Sequence, residues 1–262
     1  MRRYLALLGI QIRAATLLAL QYRLDFVLEM LMALFWSATA LVPLYVLFSM
    51  RDGVAGWSAH EMLVVVGFFT LLKGVLASVI QPSLSQAVEH IRKGTLDFLL
   101  IKPADAQFML STAKLELAHL IDVLAGVVVI VYALGRLPGN VSLAAVAFAL
   151  VLLACALLIL YAMWILVVSL AFRVVKIDNM NYLFVSLFEA ARWPASVFRG
   201  ALALLFTFVI PLALMTTYPA LALLGKATLR HFATAVTVAV VLLSVSRWVW
   251  KRALRSYAGA SA

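Results

Sequence analysis

Ionisable side chains are scarce in this chain, so those inside apolar sequence are the first candidates for chemistry. Lys73 interrupts the apolar run that begins at Met62, and Glu116, His119 and Asp122 follow at intervals of three in the run that begins at Phe108. That interval keeps neighbours on one face of a helix. An ionised group at mid-bilayer costs at least about 2.5–3.5 kcal/mol unless it is paired or hydrated. Lys73 against Asp122 or Glu116 therefore reads as an ion pair holding two helices together. The functional alternative is a proton-coupled secondary transporter that relays protons through Lys73, Glu116 and Asp122. Glu189 and Arg192 read as an intrahelical pair, and Tyr161, Trp164, Phe188 and Trp193 as rings able to line a cavity for an amphipathic or cationic substrate.

A second polar constellation lies between apolar runs. Gln86 to Pro103 is the densest charged segment of the chain. From Ser83 to Lys93, Leu84, Ala87, Val88 and Ile91 recur at helical spacing, while Gln86, Glu89, His90 and Lys93 supply a polar face. Gly94 follows Arg92 and Lys93 as a helix-ending glycine does. Its plain reading is a solvated loop; its functional reading is a docking element for a soluble partner. No catalytic residue emerges. His60-Glu61 begins an H-E-x-x-H pattern but Val64 replaces the second histidine, no G-x-S-x-G occurs, and Gly225-Lys226 is followed by Ala227 with Ala220 where a phosphate loop needs glycine. Cys155 is the only cysteine, so neither an intrachain disulfide nor a multi-cysteine metal site is expected.

The elements that must carry these residues are membrane helices. The chain is 66% hydrophobic and 12% charged, with a mean hydropathy of +1.10, well above the composition of a soluble domain. Residues 30–50, 137–172 and 200–225 contain no Asp, Glu, Lys or Arg, and about 20 apolar residues cross the hydrocarbon core. Such runs span as helices, because lipid cannot satisfy open backbone groups. The expected architecture is an all-α integral membrane protein with six transmembrane helices at about 26–49, 62–80, 108–134, 141–172, 180–197 and 229–250; Pro82 follows the second, and the loop signal Gly135 to Asn140 follows the third. Residues 1–25 form an N-terminal interfacial helix, with Arg2 and Arg13 on nearly one face. Residues 83–105 form a segment between spans two and three. Residues 198–226, bounded by Trp193-Pro194 and Tyr218-Pro219 and broken at Pro211, form a re-entrant outer hairpin before span six.

Sidedness follows from the basic residues. Arg2, Arg3, Arg13, Arg23, Arg92, Lys93, Lys102, Lys114, Arg173, Lys176, Arg247, Lys251, Arg252 and Arg255 fall on one side, against Arg51 and Arg136 on the other. The positive-inside rule then places both termini in the cytoplasm of a multi-pass protein of the cell (inner) membrane. The net charge of +10 is spread over the ends of apolar runs, which suits orientation in a lipid bilayer and not binding to nucleic acid. Trp248 and Trp250, beside Arg247, Lys251 and Arg252, read as an anchor at the inner interface.

Four stretches resemble the type-2 ABC exporter permeases, and among them the small branch labelled ABC-2 family transporter protein: Tyr22-Arg23-Leu24-Asp25-Phe26, the run Gly94 to Pro103, Ile210-Pro211-Leu212-Ala213, and Tyr218 to Gly225. The resemblance covers essentially the whole chain. It implies a permease subunit that exports a substrate by alternating access, paired with a second permease copy or related chain and with a cytoplasmic ABC ATPase. ATP and Mg would sit on that ATPase, with no cofactor on this chain. It also implies that the segment before Gly94 is the coupling helix, with Glu89, His90, Arg92, Lys93, Gly94 and Asp97 meeting the ATPase. The cargo is unnamed, with amphipathic or hydrophobic molecules the compatible class.

Overall fold

The computed structural model describes residues 2–51, 53–172, 184–206, 210–255 and 257. Among these the chain is helical, with one isolated backbone bridge between Val54 and Trp57. Six helical stretches are long and apolar enough to cross a membrane. The first is α1 (Arg2–Gln21). The second joins α2 (Arg23–Thr39) to α3 (Val42–Met50), and the step between them precedes Pro43, which has no N–H to continue the ladder. The third joins α4 (Ala59–Val75), a π turn (Leu76–Ile80) and α5 (Gln81–Arg92) into 34 residues. The others are a short 3-10 turn (Leu117–His119) leading into α8 (Leu120–Arg136), then α9 (Leu143–Leu170), and lastly α12 (Leu229–Arg255). Two short helices, α6 (Asp97–Leu100) and α7 (Ala106–Ser111), lie between α5 and α8. Another two, α10 (Ala201–Leu204) and α11 (Tyr218–Leu223), lie between α9 and α12, and a second π turn, Ala213–Thr217, leads into α11.

Local chemistry sets the helix starts. Ser58 and Glu61 form a reciprocal capping box at α4, each side chain taking the other's backbone N–H at 3.4 and 3.0 Å. The His60-Glu61 pair is thus a helix start. Ser142 caps α9 by accepting from the Ala145 N–H at 3.1 Å. Packing centres on α4 against α8 and on α9 against α12. The α4–α8 contact is a backbone approach built on glycines: a Cβ on Gly126 would lie 2.6 Å from the Leu71 nitrogen, and one on Gly74 would lie 2.6 Å from the Val123 nitrogen. Membrane helices associate in this way because small residues permit the close packing that replaces a hydrophobic driving force.

Three boundaries differ from expectation. Span two does not end at Ile80 before Pro82; the helix continues to Arg92 through the π turn. Span three does not begin at Phe108, since α7 stops at Ser111 and regular helix resumes only at Leu117. There the Thr112 hydroxyl bonds back to the Phe108 carbonyl at 2.9 Å, a local bond that competes with the helix ladder, and Lys114 pairs with Glu116 at 2.8 Å. The long helix expected over 180–197 is replaced, in its described part, by one helical turn at 184–188 and 3-10 turns at Glu189–Arg192 and Ala195–Val197. Arg173, Lys176 and residues 180–183 lie outside the described residues.

Despite these breaks the segment has a clear path. Phe184 packs edge-on against Trp164 of α9 at 4.9 Å, Phe188 lies 5.4 Å from Phe69 of α4, and the Trp57 indole donates to the Ser196 hydroxyl at 3.1 Å. The chain therefore climbs to the end of the molecule where α4 begins. It is at that end again at Lys226, whose ammonium meets Glu61 at 2.5 Å. Ser196 and Lys226 thus both lie at the end of the bundle where α4 begins.

Candidate functional site

The helix α5 leaves the bundle as an amphipathic rod. Leu84, Ala87 and Ile91 are buried, while Ser85, Glu89, Arg92 and Lys93 are exposed. Glu89 pairs with Lys93 one turn on at 2.5 Å. Gly94 ends the rod at φ +68°, a left-handed conformation that suits glycine, and the Thr95 N–H reaches back to the His90 carbonyl at 3.0 Å. His90 Nδ1 also meets the Thr95 hydroxyl at 2.8 Å. Asp97 opens α6, so its carboxylate sits at a helix N-terminus. Phe98 (69%) and Ile101 (79%) protrude beside it, far more exposed than most side chains of their kind. The sequence reading picked out the charged residues here and missed these two. The sequence does not set them apart from Leu96, Leu99 and Leu100, which share the same run between Lys93 and Lys102.

The base of α5 is fastened to the entrance of α8. Pro82 has no N–H for the Ser78 carbonyl one turn back, and the π turn places that carbonyl where the Glu116 N–H donates to it at 2.8 Å. Ser83, fully buried, donates its hydroxyl to the Lys114 carbonyl at 2.6 Å and accepts from the Lys114 N–H at 3.1 Å. A polar cavity of about 630 Å3 opens beside this junction, lined by Gln81, Ser85, Gln86, Glu89, Lys114 and Glu116 among others.

The intramembrane cluster is brought together only in part. Asp122, 1% exposed, accepts from the Ser37 hydroxyl of α2 at 2.6 Å, and His119 Nδ1 stands 3.6 Å from its other oxygen. Among the described residues Lys73 forms no ion pair with Asp122 or Glu116, and Glu116 pairs with Lys114 instead. The expected face at intervals of three is lost because Glu116 precedes the helix and His119 belongs to its 3-10 entry. What ties the helices is Ser37 with Asp122 between α2 and α8, together with the glycine contact between α4 and α8. Arg192 does pair with Glu189, and its guanidinium also stands 5.6 Å from the centre of the Phe69 ring.

At the α5 end, Arg247 of α12 grips Asp105 through both guanidinium nitrogens, and one of them also reaches the Gln107 amide oxygen at 2.5 Å. Gln107 and Ser111 meet the Tyr161 hydroxyl of α9 at 3.1 and 2.7 Å. The bond from Arg247 holds the Asp105 carboxyl below the usual carboxylate range, against the upward push of partial burial, and the capping bond from the Phe108 N–H helps. Of the rings expected to line a cavity, Tyr161 borders a space of about 490 Å3 beside Arg247. Trp164 and Phe188 are buried core at 1% exposure. Trp250 is core as well, set edge-on against Phe172 at 5.5 Å, while Trp248 is exposed with the Arg252 guanidinium 5.7 Å from its ring centre.

The prolines of the broken segment mark its turns. Pro194 precedes a 3-10 turn, Pro211 precedes the second π turn, and Pro219 sits in the first turn of α11. Tyr218 packs edge-on against His231 of α12 at 4.7 Å. The Thr216 hydroxyl satisfies the Ala191 carbonyl at 2.7 Å, and the Thr217 hydroxyl accepts from the Ala195 N–H at 3.3 Å.

No curated protein and no protein of solved structure matches the chain. A family model described as ABC-2 family transporter protein matches residues 34–261. Since that match runs from within α2 to the C-terminal tail, the chain belongs to the ABC-2 family of transporter proteins, as a membrane permease.

Proposed function

We propose that this permease is the membrane half of an exporter driven by a separate cytoplasmic ABC ATPase. The docking element is α5 with α6. The observation that carries the reading is an amphipathic helix continuous with α4, its outer face carrying Glu89, Arg92 and Lys93, followed beyond Gly94 by the exposed pair Phe98 and Ile101. Bulky apolar side chains ringed by charge are the usual energetic anchors of a protein interface. Glu89, His90, Arg92, Lys93 and Asp97 then set orientation. Two such permeases, identical or related, enclose a path for an amphipathic or hydrophobic cargo, and nucleotide-driven closure of the ATPases tilts them between inward- and outward-open states. ATP and Mg are bound by the ATPase.

In this reading the α5 end faces the cytoplasm of a cell membrane, with both termini inside. Two contacts favour an interfacial course for α1: the Tyr4 ring packs against Phe108 at 4.7 Å, and the same helix touches the Leu117–His119 turn, both at the α5 end. Residues 198–226 form a hairpin that enters from the outer side and leaves by it. The test is co-purification with a candidate ABC ATPase and vanadate-sensitive ATP turnover. Phe98→Ala with Ile101→Ala weakens association at least about tenfold, as loss of a hot-spot pair does, and leaves membrane insertion unchanged. Undiminished association in that double variant would show that α6 is not the anchor.

A further inference from the structure

We propose that Ser83 is a positioning residue which, with the carbonyl of Ser78, couples α5 to the entrance of α8 and makes α8 the first membrane helix driven by docking. The inference rests on the docking role proposed for α5. A push on α5 has two routes into the membrane. One is along its own axis into α4, but there the hydrogen-bond ladder is re-registered by the π turn and lacks the Pro82 donor, so this is where the rod is least stiff. The other is sideways, through Ser83 to both backbone groups of Lys114 and through the Ser78 carbonyl to the Glu116 N–H. Two of these bonds join the first turn of α5, and the third joins the π turn just before it, to the strap that opens α8. Ser83 is fully buried, so its hydroxyl has no water to exchange for Lys114.

From α8 the displacement has a continuation. Asp122 lies on its first turn and is bonded to Ser37 of α2, while Gly126 meets α4 backbone to backbone. Motion of the strap therefore reaches α2 through one buried hydrogen bond and reaches α4 through the glycine contact, beyond the π turn.

The test uses the full permease–ATPase complex in nanodiscs, with Cys155 replaced by Ala. Spin labels are placed at Ser85→Cys and Ala113→Cys, two exposed positions flanking the junction. Distances are measured in the nucleotide-free complex and after trapping with MgATP and orthovanadate. With Ser83 present, the distance is the same in both states. In Ser83→Ala it shifts or broadens on trapping, read in complexes that retain the bound ATPase. Hydrogen exchange at the Glu116 amide, measured on the chain with Ser83 intact, is slow in both states. A distance that changes on trapping with Ser83 intact, one that stays fixed in Ser83→Ala, or rapid exchange at Glu116 overturns the inference. Failure to associate with an ABC ATPase overturns instead the docking role of α5, and this inference falls with it.

Discussion

Single residues here act through the backbone they bring close more than through charges they pair. Gly126 shows this most directly, because the Leu71 nitrogen occupies the space a Cβ would need. Gly126→Ala is expected to destabilise the permease by about 1–3 kcal/mol, the usual cost of overpacking, read as a lowered melting temperature in detergent. Gly135 has nothing within 4 Å of its missing Cβ and lies within α8, so Gly135→Ala should raise stability by up to about 1 kcal/mol; equal effects of the two would contradict the packing argument. Asp105 provides a pH test. A carboxylate held low contributes stability that is complete above its unfolded value, about 3.9, and is lost as pH falls through the lower folded value. Asp105→Asn should therefore melt below the native protein at pH 7, with the gap closing below about pH 4. Both partners are more than a third exposed, so the difference is at most about 1 kcal/mol. An unchanging gap from pH 7 to 3 would disprove the link.

At the scale of elements, apolar runs were legible and their joints were not. Charge-free stretches marked α3 and α9, the Gly135 to Asn140 cluster marked the turn between α8 and α9, and Arg92-Lys93-Gly94 marked the end of α5. Pro82 was misleading because a local rule sees the donor that proline removes, while the replacement donor, Glu116, lies 34 residues away in the sequence. Asp122 was found by its type, but its partner Ser37 is a small hydroxyl in an apolar helix that no spacing connects to it. Pro82→Ala tests the joint. It returns an N–H that competes for the Ser78 carbonyl, so the Glu116 amide should exchange faster with solvent than in the native chain, measured by hydrogen–deuterium exchange with peptide resolution. Unaltered protection would mean that the π turn does not depend on the proline.

At the scale of the whole molecule, two ion pairs define the ends of the bundle. Glu61 with Lys226 closes one, and Asp105 with Arg247 closes the other. Under the proposed orientation the first is outside and the second inside. Lys226→Cys should then react with an impermeant maleimide added to intact cells, whereas Lys93→Cys should react only after the membrane is opened; the reverse pattern would invert the topology. Because the chain from Ser196 to Lys226 starts and finishes at the same end, that loop is topologically neutral. A change of length within it cannot invert α12 or the α5 docking end, so the sidedness of the permease rests on where its two ends are held, at Ser196 and Lys226.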